Sequence, residues 1–487
     1  MKKTITIIVL MLTAMSFSTS CFKDLDIEQA SKITSSNMWQ DENDCLGAMY
    51  GMYDQFRSTM STAMIYWGEY RSGTFTNGIG TGTADKMFNN QLDVTEAKGT
   101  TWATLYTLIN DANLIIRHTP DVSFSNEETK NLILGNAYFI RAYSYFIIAR
   151  VWGDAPLLLT GFESSDNDLQ PSRTDASEIY AQVLSDIESA ISTIPSSASD
   201  CTIASVAAAQ MLKVDYLLWM YETRNGDKSL LEDANSTIDK VLANSNYSLL
   251  DSYENVFSLK NKNNKEIIFT IHFAQGEAEG GFETVYLIPA TKFYSAEANI
   301  ETHVKIMTSD DQRYNFSPKL IALLKEDPAD TRTAVSFGDW TDTSIGMQYT
   351  WVNKFSGLWQ DKTRYFIADK PIYRYAEALM FKAEIEMLQG DTAESLKYLN
   401  KVAKRAYGKD DYYSITSSSE LRQTLMNEYL KEFAAEAKSW WCYIRLGYAF
   451  TEIESLRGRQ NETNILLWPI NSACMNENPN IRQTVGY

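Results

Sequence analysis

Apolar residues recur every three or four positions along much of the chain, which is the period of an α-helix. Between Asp175 and Ile194 the series Ile179, Val183, Ile187, Ile191 and Ile194 predicts an amphipathic helix, with Thr174 as its cap and Pro195 as its stop. Ala204–Glu222 repeats the pattern through Ala208, Met211, Leu212, Leu218 and Trp219. A turn at Asn225-Gly226-Asp227 then leads into a partner helix, Leu230–Ala243. A second hairpin is predicted from Ile372–Leu388 and Thr392–Arg405, joined at Gln389-Gly390-Asp391. Further helices are expected near Asp41–Thr59, Trp102–Arg117, Glu127–Val151 and Glu420–Leu446. Such hairpins, about 34 residues long and rich in Ala, Leu and aromatic positions, suggest tetratricopeptide-like units. A single hairpin cannot bury its own apolar face, so several must stack.

Two regions break the helical period, Ser61–Gly99 and 262–370, both rich in Gly, Asn, Thr and aromatic residues. Within the second, Glu266–Ile271 reads as a strand, and Trp351 with Lys354 and Phe355 reads as strand and core. Recognition residues usually sit in long irregular segments held on a rigid scaffold. The expected architecture is therefore mostly α, with helix hairpins as scaffold and a loop-rich ligand-binding region with few short strands.

The N-terminus follows a different pattern. Lys2 and Lys3 precede an apolar run from Ile5 to Phe17 and then Ser18-Thr19-Ser20-Cys21. The run is shorter than the roughly 20 apolar residues of a membrane-spanning helix and fits a secretory signal over residues 1–20. Cys21 then becomes the first mature residue and the expected lipidation site. The segment resembles a bacterial lipobox, with Ser18 where Leu is usual; an ordinary signal peptide with an incidental cysteine is the alternative. No later segment reads as apolar for long enough to cross a bilayer.

With 44% hydrophobic residues in a chain of 487, a large core is expected. Removing Lys2 and Lys3 leaves 42 basic against 62 acidic side chains, a net charge of −20. That charge opposes binding to nucleic acid or to anionic headgroups. Cys45, Cys201, Cys442 and Cys474 are widely spaced, without C-x-x-C, and read as buried thiols rather than as disulfides or a metal site. Asp166-Asn167-Asp168 lacks the spacing and glycine of a calcium loop and reads as a solvated turn. With three histidines and no H-E-x-x-H, G-x-S-x-G or Walker loop, no catalytic apparatus is legible, and neither a metal nor a cofactor is expected.

Aromatic residues in the two irregular regions are the sharper signal, because a flat ring covers the apolar face of a sugar while polar neighbours bond its hydroxyls. Trp67, Tyr70, Arg71 and Asn77 in the first region, and Tyr286, Tyr294 and Trp340 in the second, are the expected ligand-binding residues.

Several blocks, in order, resemble the SusD/RagB family of lipid-anchored nutrient-binding proteins of Bacteroidetes. They begin with Cys21-Phe22-Lys23-Asp24-Leu25-Asp26. Ala137–Tyr143 with Tyr145-Phe146 follows, and then Val151-Trp152-Gly153-Asp154-Ala155-Pro156-Leu157. Next come Ser317–Leu320 with Asp327, Asp330 and Arg332, then Tyr373–Ala378, then Leu399–Val402 with Arg405-Ala406. Leu467–Ile470, Asn478–Ile481, Gln483 and Gly486-Tyr487 complete the series. The resemblance implies a single SusD-like domain over 21–487, with ligand-binding loops at about 61–99 and 262–370. It implies a non-catalytic surface lipoprotein of the outer membrane that passes oligosaccharides to a SusC-like TonB-dependent transporter. A peptide-binding relative and a structural lid subunit of the transporter are the alternatives. One departure is Ser439 and Cys442, where the family usually has arginine and aspartate. With both partners absent, no unmatched charge is expected in that block.

Overall fold

Successive helices pack in chain order, and one long insertion interrupts them. The structure, a computed structural model, describes residues 38–79, 85–95, 98–163, 169–289, 292, 312–361 and 363–487. The signal segment, Cys21, Tyr294 and the Asp166–Asp168 turn lie outside the described residues. The main helices are α1 (Glu42–Gly68), α2 (Ala103–His118), α3 (Glu127–Trp152), α4 (Ala176–Thr193), α5 (Val206–Thr223), α6 (Lys228–Leu242), α7 (Tyr375–Gln389), α8 (Thr392–Tyr407), α9 (Ser418–Glu432) and α10 (Ser439–Arg445). From α1 to α8 each packs against the next. This is the stacked-hairpin scaffold that the periodicity predicts. Although 132 residues separate α6 from α7 in sequence, the two helices touch, so residues 243–374 leave the stack and return to the same place.

Caps and breaks explain where the helices differ from expectation. Asp175, not Thr174, caps α4 by accepting from the Ser177 amide at 2.8 Å. The first helix does not stop at Thr59 but runs to Gly68, because Met60, Met64, Ile65 and Trp67 continue its buried face. The expected helix Glu420–Leu446 is broken at 433–438, where Ala435 and Ala437 take left-handed φ values of 63° and 61°. The turn approaches α1 closely: a Cβ on Gly68 would lie 1.9 Å from the Ala437 carbonyl oxygen. Contrary to expectation, α3 is long and apolar enough to cross a membrane by length and composition, but most of it is buried inside the fold between α2 and α4. There Arg141 grips Asp186 of α4 through two bonds of 2.7 and 2.8 Å and donates to Asn113 of α2 at 2.7 Å.

The strands among the described residues form two-stranded antiparallel pairs. β1 (Phe75–Asn77) pairs with β3 (Tyr314–Phe316), and β2 (Ile267–Ile271) with β8 (Lys370–Arg374). β4 (Phe337–Asp342) pairs with β5 (Met347–Val352), and β6 (Leu358–Gln360) with β7 (Thr363–Tyr365).

A buried ion network fastens the insertion to the scaffold. Arg374 of β8 binds Glu266 at 2.9 Å, Glu432 of α9 at 2.6 Å and Glu436 at 2.8 Å. Arg332 binds Asp330 at 2.7 Å and Glu428 of α9 at 2.8 Å, and Lys354 binds Glu436 at 2.9 Å. Arg405 of α8 joins through Glu266 and Glu432. Such a network fixes geometry more than it adds stability, because desolvating each charge costs nearly what pairing returns. Cys45, Cys201 and Cys442 are buried free thiols, and Cys474 is half-buried and free.

Candidate functional site

The two irregular regions meet along β1 and β3. Phe75 faces Phe316 in register, and past the strand end the Gly78 amide donates to the Arg313 carbonyl at 2.9 Å. Gly78 is required by this closeness, since a Cβ there would fall 2.3 Å from the Gln312 carbonyl oxygen. The Gln312 side-chain amide donates to the Tyr286 and Thr350 carbonyls at 2.8 and 2.9 Å, joining the segment to β5 as well.

Beneath the junction lies a cluster of aromatic rings. Tyr70 packs against Tyr66, Phe75 and Tyr314 with centroids 5.4, 5.1 and 4.6 Å away, and Phe282 links Tyr66 to Tyr286 at 5.7 Å on each side. The hydroxyls of Tyr70 and Tyr286 hydrogen-bond at 3.0 Å, and burial pushes both phenols well above their ordinary pKa. Tyr66, Phe88 and Phe282 are half-buried and form the accessible edge of the cluster. A polar rim adjoins them. Lys98 donates to Asp85 at 2.8 Å and to the Tyr314 hydroxyl at 2.9 Å, while the Asn77 side-chain oxygen accepts from the Asp85 amide at 3.4 Å.

Trp340 lies at the same junction. On β4 it stacks on its cross-strand partner Tyr349, with centroids 5.4 Å apart and planes 16° apart. It shares an apolar cluster with Ile79, two residues beyond Asn77, and with Leu287 beside Tyr286.

Of the expected ligand residues, Asn77 and Trp340 are half-buried at this junction; Tyr70 and Tyr286 are buried beneath it with their hydroxyls bonded to each other, so the expectation that they touch a ligand is corrected to a supporting place under the patch. Trp67 and Arg71 face elsewhere, and the expectation that they present a surface to a ligand is corrected. Trp67 is 1% exposed, donates to the Gly99 carbonyl at 2.8 Å and packs edge-on against Trp152. Arg71 is spent on the C-terminal segment, donating to the Leu466 and Leu467 carbonyls at 3.2 and 2.8 Å and to Asn90 at 2.8 Å, with its guanidinium 4.5 Å from the Trp440 ring centre. Burial lowers its pKa to about 10. The rim groups Asp85, Lys98 and Tyr314 escaped sequence reasoning because each reads alone as an ordinary loop residue.

The departure at Ser439 also has a structural consequence that the sequence reading did not foresee. Glu69, at the end of α1, is fully buried and accepts from Ser439 Oγ at 2.7 Å and Thr74 Oγ1 at 2.9 Å, with no ion pair among the described residues. Burial raises its pKa to about 7.

Chemically, the patch offers ring edges, one tryptophan, and donors and acceptors already engaged in a network that a hydroxylated ligand can extend. Asp85 is paired with Lys98 at 2.8 Å, and its carboxylate oxygens can accept further bonds from ligand hydroxyls. Among the described residues no cluster of His, Cys, Asp and Glu is arranged to hold a metal ion.

A stacked helix scaffold with few short strands is the fold of SusD-type proteins. The chain belongs to the SusD/RagB family, whose members are generally nutrient-binding proteins of the outer membrane. Residues 23–217 match the family model described as SusD-like, starch-binding and associating with the outer membrane, and residues 328–487 match the SusD family model. A SusD-like protein of Formosa agariphila is 24% identical over all of this chain and 99% of its own length. A SusD superfamily crystal structure from Bacteroides fragilis superposes with a TM-score of 0.81 at 27% identity, covering 92% of this chain and all of that one. The Bacteroides fragilis protein NanU gives the same score and identity over 95% of this chain and all of its own.

Proposed function

We propose that this chain is a surface-exposed, non-catalytic glycan-binding lipoprotein, anchored through Cys21 in the outer membrane, that delivers oligosaccharides to a SusC-like TonB-dependent transporter. The observation that carries the reading is the junction of the two irregular regions, where Tyr66 and Phe282 adjoin the polar groups of Asp85 and Lys98, with Asn77 at the end of β1 and Trp340 packed on the cluster that holds Ile79 and Leu287. Such a surface stacks on the apolar face of a sugar ring and bonds its rim. The family description of starch binding at the outer membrane supports the same ligand class. Lipid tethering raises the effective concentration of the protein at its transporter, so modest single-site affinity suffices. Isolating the native complex and identifying what co-purifies tests the reading: a glycan supports it, whereas a peptide or no ligand points to the peptide-binding or lid alternative. Cys21→Ala should leave binding intact in solution and impair uptake by cells; surface retention of that variant contradicts the anchor.

A further inference from the structure

A cleft of about 600 Å³ opens in another part of the insertion, between 251–259, the short helix Arg332–Ser336 and the turn 353–357, with Arg405 of α8 also in its wall. None of the residues of the loop patch lines it. Its size falls within the range of about 300–1,000 Å³ typical of small-ligand sites. One wall is Phe257, a half-buried ring held edge-on by Tyr253 at 5.2 Å and Phe355 at 5.9 Å, with the Lys354 ammonium 4.8 Å from its centre. Small polar side chains, Ser252, Ser258, Asn353 and Ser356, supply much of the remaining lining, and exposed Asp251 and Glu254 stand at the rim.

The charges in the wall are already spoken for. The side chains of Lys354 and Arg405 are 0% and 2% exposed and belong to the ion network. In that network Arg332, Lys354, Arg374, Arg405 and Lys431 stand against Asp330, Glu266, Glu428, Glu432, Glu436 and the exposed Glu326, five cations and six anions among the described residues. Among the described residues an anionic ligand finds no spare cation in the wall and meets Asp251 and Glu254 at the rim, while a cationic one, though drawn to that rim, would face two buried cations across a low-dielectric wall. Arg405 Nε has no acceptor among the described residues, so the wall holds one neutralised donor short of a partner. Burial also lowers the Lys354 pKa to about 8, the kind of perturbation that gathers at binding sites.

Resting on the glycan-binding reading above, we infer that this cleft is a second binding site for a neutral oligosaccharide segment, with Phe257 as its stacking ring and the serines and Asn353 as its hydroxyl partners. Two sites on one tethered body hold a long glycan more firmly than either alone.

The test is calorimetric titration of the full chain with maltohexaose, xylohexaose and mannohexaose, and with oligogalacturonate and a lysine-rich peptide as charged probes. Trp340→Ala disables the loop patch. Ala334→Trp, at an exposed position in the cleft wall, fills the second site, and Ser258→Trp repeats the block from the opposite segment; melting curves verify the fold of each. The expected result is that Trp340→Ala leaves residual binding of one neutral hexasaccharide, which either cleft variant weakens at least tenfold. Loss of all binding in Trp340→Ala, with both cleft variants neutral, overturns the second site and leaves the loop patch standing. Binding unchanged by Trp340→Ala but lost in the cleft variants upholds the cleft and overturns the loop patch. A charged probe displaced by the cleft variants overturns the ligand class, and no hexasaccharide binding at all overturns both sites.

Discussion

The hydroxyls of Tyr70 and Tyr286, 216 residues apart in sequence, meet at 3.0 Å inside the aromatic cluster that supports the loop patch. Tyr286→Phe leaves the Tyr70 hydroxyl buried without its partner, which should cost about 1–2 kcal/mol in stability. The double variant Tyr70→Phe/Tyr286→Phe should cost less than the two single variants summed, because it leaves no orphan. Urea unfolding of the four proteins measures the coupling; strict additivity would mean that the bond contributes nothing.

Gly78 sets how closely β1 approaches the segment ahead of β3. Gly78→Ala places a methyl group 2.3 Å from the Gln312 carbonyl oxygen and must push the two strands apart. Glycan affinity should fall at least tenfold, with a smaller change in melting temperature, because the strain falls on the patch and not on the helical stack. Unchanged affinity would detach the patch from the binding function.

Glu69 makes stability depend on pH with a defined sign. Its folded pKa, about 7, lies above the 4.5 of an ordinary glutamate, so the native state holds a proton that the unfolded chain releases first. The stabilisation is complete below about pH 4.5 and is lost as pH rises to about 7. Over that window the loss amounts to about 3 kcal/mol. Glu69→Gln should therefore gain stability relative to the parent as pH rises from 5 to 8. Thermal melts of both proteins across this range decide it, and a difference that stays constant with pH contradicts the assignment.

Arg374 contacts Glu266, Glu432 and Glu436, and Arg374→Ala leaves these three buried carboxylates one cation short, with Arg405 and Lys354 as remaining partners. A loss of about 3–5 kcal/mol is expected from breaking a buried network on one side. Chemical denaturation measures it; a loss below about 1 kcal/mol would show that the network is not what fastens the insertion.

The scaffold was legible where burial follows one period, as at Ile179, Val183 and Ile187 along α4. It was not legible at 433–438, where Glu432 and Glu436 are spaced as on a continuing helix but both turn toward Arg374, a residue about 60 positions earlier. The patch was legible only as two regions. Trp67 and Trp340 both read as loop tryptophans, yet Trp67 ends a helix and meets Trp152 in the core, while Trp340 lies half-buried on a two-stranded hairpin. That difference is made by distant segments folding over one residue and not over the other, which no local pattern encodes.

Titration of the protein with a panel of neutral oligosaccharides, comparing the parent with Trp340→Ala and Asn77→Ala, tests the central claim most directly. Stacking on an indole and a hydrogen bond to an amide are each worth about 1–2 kcal/mol, so each variant should bind the preferred glycan about tenfold more weakly while still melting cooperatively, Trp340→Ala at a lower temperature because it also loses its stacking on Tyr349. Undiminished affinity in both variants would contradict the assignment of the loop patch as the glycan site.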